Sequence, residues 1–101
     1  MMGYATNLVN VIEEFLPLYE RHNDPVHPYR MNMIVDTLQN YGHAVTVLNS
    51  VARVIAEHPD RRIAGRIVGV IRMAVATMPA LAGYDLGDSV ARLAGKAASA
   101  A

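Results

Sequence analysis

His22, Asp24 and His27 stand together in one short stretch, and imidazole with carboxylate is a donor set that zinc or another transition metal accepts. A structural zinc site takes about four protein ligands and a catalytic one about three in fixed geometry, so His43 or His58 would have to join from a distance. Pro25 and Pro28 lie in the same stretch and explain it more simply, as a break between helices. No metal is expected.

A second concentration of chemistry is cationic. Arg53, Arg61, Arg62, Arg66 and Arg72 bracket the sequence His58-Pro59-Asp60, and arginines beside a helix start can hold phosphate. The two helical stretches joined by so short a turn also resemble a helix-turn-helix. The face that would read bases offers Arg62, Arg66, Gly69 and Met73, with no Asn, Gln, Ser or Thr to read base edges. Glu57 and Asp60 dilute the cluster. Contact with nucleic acid, if made, is expected at the phosphates.

Enzymatic chemistry has little to work with. There is no phosphate-binding glycine loop, no dinucleotide fingerprint and no His-Glu-x-x-His, and Ser50, Ser89 and Ser99 lack a nucleophile-elbow context. The carboxylates fall on solvent faces of the helices described below rather than converging. The expectation is a chain with no catalytic residues and no cofactor.

These groups must be positioned by one domain, because 101 residues leave no room for two lobes. Fifty-two per cent of the residues are hydrophobic and 18% charged, with a positive mean hydropathy, which is more apolar material than one small core readily absorbs. The absence of cysteine excludes disulfide frameworks and thiolate metal sites and makes a cytoplasmic location the expectation. Ile63 to Gly83, the most apolar stretch, carries Arg66 and Arg72 and contains Pro79, so it reads as soluble rather than membrane-spanning. No signal peptide fits an N-terminus without a basic flank. Net charge is zero, yet residues 1–36 hold five acids against two bases and residues 37–101 four against seven. The halves are therefore −3 and +3, a polarity that can steer two chains together.

Apolar periodicity predicts an all-α fold: a small bundle of three to four helices in a single domain, 1–101. Leu8, Ile12, Phe15, Leu16 and Tyr19 share one face of a first helix over 1–22, with Pro17 as a kink or a split. Met31, Ile34, Leu38, Tyr41, Val45, Leu48, Ala52 and Ile55 alternate spacings of three and four, predicting a long central helix over 29–57 in which Gly42 allows a bend. Asp60 is placed to cap a third helix over 61–78, and the short turn predicts an antiparallel hairpin with the second. That third helix carries two seams, Ile63, Ile67, Val70, Ala74 and Ala64, Val68, Ile71, Val75, Met78. After a loop, Asp88 or Ser89 would cap a short fourth helix over 88–98, with Val90, Leu93, Ala94 and Ala97 facing inward.

A straight 29–57 helix would be about 43 Å long, against a diameter of roughly 33 Å for a globule of this size. It would overhang its own core. The function expected is therefore a non-catalytic oligomerisation or protein-interaction module, an adaptor, scaffold or assembly subunit. Its interface would be formed, most simply in a two-fold dimer, by Met31, Ile34, Leu38, Tyr41, Val45, Leu48, Ala52 and Ile55 with Gly65 and Gly69. Gly65 and Gly69, four apart, would admit another helix closely, either within the bundle or from a second surface. The alternative is a nucleic-acid-binding regulatory or packaging protein using the five arginines. A second alternative comes from Tyr84-Asp85-Leu86-Gly87-Asp88, whose Tyr-x-x-x-Asp resembles the export signal of small helical proteins secreted by type VII systems. Those families carry Trp-x-Gly at the hairpin turn, where this chain reads His58-Pro59-Asp60.

Overall fold

Residues with apolar side chains three and four apart bury one stripe of each helix, and that rule accounts for most of what is observed. The computed structural model describes residues 3–21, 28–40 and 43–98. They form α1 (Gly3–Arg21), α2 (Pro28–Asn40), α3 (Ala44–Glu57), α4 (Arg61–Thr77) and α5 (Gly87–Ala98), with a 3-10 turn at Pro79–Leu81 and no strand among them. The fold is the expected all-α bundle. None of the helices described is long and apolar enough to cross a membrane.

α1 runs through Pro17, which is exposed within it, so the proline does not split the helix. Leu8, Ile12 and Leu16 are buried as the periodicity required, joined by Ala5 and Val9. The side chains of Phe15 and Tyr19 lie outside the described residues.

The single helix expected over 29–57 is two helices. His43 has an extended backbone, φ −70° and ψ 139°, and its carbonyl accepts the first bond of α3 from the Val47 N–H at 3.0 Å. The reason the seam hid the break is that both helices face the same core. Ile34 and Leu38 are fully buried on one side of it, and Leu48 and Ile55 on the other. Only the phase betrays the change: Val45, counted in the seam, is 43% exposed, while Ala44 and Val47 turn inward. The molecule measures 34 × 32 × 23 Å. Among the described residues no helix overhangs the core as a straight 29–57 helix would.

Asp60 caps α4 as expected, its Oδ1 accepting from the N–H groups of Arg62 at 3.0 Å and Ile63 at 3.1 Å. The short turn reverses the chain, but α3 and α4 touch one another little; each packs instead against α1 and α5, which themselves barely meet. α1 therefore closes one side of the splayed α3/α4 pair and α5 the other. The expected hairpin turn is thus present, with its two helices splayed. The apolar girth of α4 explains it, since Ala64, Ile67, Val68, Val70, Ile71 and Ala74 need cover on more than one side.

α5 begins at Gly87, with Leu86 accepting the Val90 N–H at 2.9 Å, so Asp88 lies in the first turn rather than at the cap. There its charge favours the helix dipole. Ser89 is buried in line with Leu93 and Ala97. Val90 and Ala94 are only partly covered. Leu81 and Leu86 plug the core from the connection, a contribution that no periodic signal announced.

Candidate functional site

The α3/α4 corner gathers most of the polar groups that could do chemistry. His58 ends α3, and its Nε2 lies 2.6 Å from Glu13 Oε1 on α1. Its Nδ1 accepts the Asp60 N–H at 3.0 Å. An acceptor at Nδ1 places the ring proton on Nε2, where it is donated to the carboxylate. Both nitrogens are thereby engaged.

Arg61 is also taken up by the fold. Its Nη2 donates to the carbonyls of Ile55 at 2.6 Å and His58 at 2.5 Å, and its Nη1 to the Lys96 carbonyl at 2.9 Å. These are last-turn carbonyls of α3 and α5, where a cation offsets the negative helix end. Its Nε is buried without a hydrogen-bond partner among the described residues. Counted in the phosphate-binding cluster from sequence, Arg61 instead ties three helices together. Most of its fork is spent within the fold.

Arg53, Arg62 and Arg72 remain exposed, while Arg66 is partly buried and engaged in an interaction of its own. The structure adds two cations that the sequence reading left out of the cluster. Arg92 and Lys96 lie on α5, and with Arg53 they line an open groove between α3 and α5 whose other lining groups are Thr46, Asn49, Ser50 and Ala52. Arg92 Nη1 donates to Asn49 Oδ1 at 3.1 Å, which holds it over this groove. On the other flank of α5, Arg61, Arg62 and Arg72 line the α4/α5 groove. Its floor is Gly65, Val68, Gly69 and alanines of α5. Among the described residues no carboxylate side chain lines either groove. Sequence spacing could not reveal this pairing, because α5 joins the cluster only through tertiary packing.

Gly65 and Gly69 are exposed, and no heavy atom lies within 4 Å of where a Cβ would stand on either. Internal close packing therefore does not require them. The apolar seam assigned to an oligomer interface is largely inside the chain: Ile34, Leu38, Leu48, Ala52 and Ile55 are each 3% exposed or less. These side chains therefore offer little surface to a second copy of this fold, whereas Val45, Gly65 and Gly69 are on the surface. The Met31 side chain and Tyr41 lie outside the described residues, as do His22, Asp24 and His27. Among the described residues no three metal-ligating side chains come together, and His43 and His58 flank opposite ends of α3. Tyr84 is 44% exposed just before α5, with Asp88 in that helix's first turn.

The fold and the grooves thus define an all-α bundle with a cationic ridge. No protein-family model, curated protein or solved structure matches the chain, so its own residues carry the functional reading.

Proposed function

We propose that this chain is a non-catalytic docking module that presents α5 and the neighbouring surface of α4 to a macromolecular partner. The observation that carries the reading is the pair Gly65 and Gly69. Glycine inside an exposed helix costs about 1 kcal/mol relative to alanine, and among the described residues nothing outside the helix's own backbone comes within 4 Å of a Cβ at either position. A surface kept low at that cost is suited to close approach from outside. The engagement of His58, Asp60 and Arg61 by backbone and carboxylate partners also supports a scaffold role for these groups rather than a catalytic one.

The test is photocrosslinking in the cells that produce the protein, with a benzophenone side chain at Met73, exposed next to Arg72, and at Glu14 on α1 as the control. A discrete adduct from position 73 that is absent from position 14 is the expected result. Equal labelling from the two positions, or none from position 73, would overturn the reading. A protein and a nucleic acid would both satisfy a docking module.

A further inference from the structure

We propose that the partner is duplex DNA, with α5 seated in the major groove and the cations on its two flanks holding the two phosphate strands. The proposal rests on the docking reading above and names the occupant of that surface. α5 buries a single stripe, Ser89, Leu93 and Ala97, while Gly87, Asp88, Ala91, Arg92, Gly95, Lys96 and Ala98 are exposed. It is thus a ridge laid over α3 and α4, and its outer face is narrow because Ala91, Gly95 and Ala98 are small. An α-helix with its side chains is roughly 10–12 Å across, and the major groove of B-form DNA is about 12 Å wide.

Charge follows the same geometry. Arg53, Arg92 and Lys96 stand on one flank and Arg62 and Arg72 on the other, in grooves that no carboxylate side chain of the described residues lines. Cations on both sides of one helix suit a ligand that presents phosphates on both sides of a groove. They do not match a single acidic peptide, which would satisfy one side and leave the other unpaired. A duplex of RNA fits less well, since its major groove is deep and too narrow for side chains to read. The carbonyl end of α5 would repel phosphate, but Arg61 donates to the Lys96 carbonyl there and offsets it. Asp85 and Asp88 sit at the other end of α5, so the approach is by its C-terminal half. The ridge offers Ala91, Gly95 and Ala98 to base edges, and binding is therefore indifferent to sequence.

Anisotropy of a labelled 20-base-pair duplex tests this with the whole chain. Five phosphate contacts give a slope of about −4.5 in log K against log salt, or a roughly 500-fold loss of affinity between 50 and 200 mM salt. Removing one flank by Arg62→Ala with Arg72→Ala, or two cations of the other by Arg53→Ala with Lys96→Ala, should each lower that loss to about 40-fold. Gly95→Leu, which widens the ridge, should weaken binding without changing the helical circular dichroism signal. The proposal is overturned if one flank's double variant is silent, if an RNA duplex of the same sequence binds as tightly, or if poly-glutamate displaces the DNA at equal charge. Absence of DNA binding at 50 mM salt, with the position-73 adduct still formed, would remove DNA as the partner and leave the docking module standing.

Discussion

His58 Nε2 and Glu13 Oε1 lie 2.6 Å apart, joining α1 to the corner between α3 and α4. Since α1 closes the side of the α3/α4 pair opposite α5, this one contact fastens the back of the molecule to the turn that sets its front. His58 is 12% exposed and Glu13 39%, so water competes for the carboxylate but little for the imidazole.

Replacing His58 by Ala should destabilise the chain by about 1–3 kcal/mol, because the Asp60 N–H loses its acceptor as well as Glu13 its donor. Glu13→Ala should cost less, and the double variant should show a coupling of about 0.5–1 kcal/mol in urea unfolding. A coupling of zero would mean that the contact contributes nothing in solution. Nitrogen-detected spectra of the ring provide an independent check: the tautomer with its proton on Nε2 is expected, and the other tautomer would contradict the bond to Asp60.

Arg61→Lys should be the most damaging of the arginine substitutions. Lysine supplies a point charge but not the planar fork that reaches Ile55, His58 and Lys96 together. A loss of about 1.5–3 kcal/mol is expected by denaturant melting, whereas exposed Arg62→Ala should stay within about 0.5 kcal/mol of the parent. Equal effects at the two positions would show that Arg61 is not the structural tie.

Gly65→Ala and Gly69→Ala should each raise stability by about 0.4–1 kcal/mol, since a methyl group at either position meets nothing within 4 Å. For a domain of this size that is an increase of several degrees in Tm. A lower Tm for either variant would mean that something packs over the glycines after all.

The turn at His58-Pro59-Asp60 and the cap at Asp60 were legible because proline and aspartate act locally. So were the buried stripes of α1 and α4. The break at His43 was not, because apolar spacing records which side chains face the core and not whether the axis changes direction between them. The helix-propensity cost at Gly42 was the available signal, and the exposed Val45 shows its consequence. Arg61 was misread for a related reason: in sequence it is one of several arginines, and only the convergence of three helix ends on its guanidinium separates it from Arg62. Arg92 and Lys96 are distant from the other cations in the chain and adjacent to Arg53 in space.

Leu48→Asp distinguishes a core residue from an interface residue. If Leu48 lay between two folded copies, a carboxylate there would separate them and leave a folded monomer. In this fold Leu48 is fully buried within one chain, in the stripe that α3 presents to α1 and α5. Placing an unpaired charge there carries a desolvation penalty of several kcal/mol and also removes apolar contacts, of which Leu→Ala alone costs about 2–5 kcal/mol. Total stability for a domain of this size is about 5–15 kcal/mol, so the substitution should unfold the chain or bring it close to unfolding at every protein concentration. Circular dichroism and sedimentation measured together decide the matter. The expected result is loss of the helical signal independent of concentration, with Val45→Asp, on the exposed side of the same helix, retaining both signal and mass. A Leu48→Asp chain that kept its full helical signal while its mass fell from dimer to monomer would place Leu48 at an interface and contradict the packing of α3 described above.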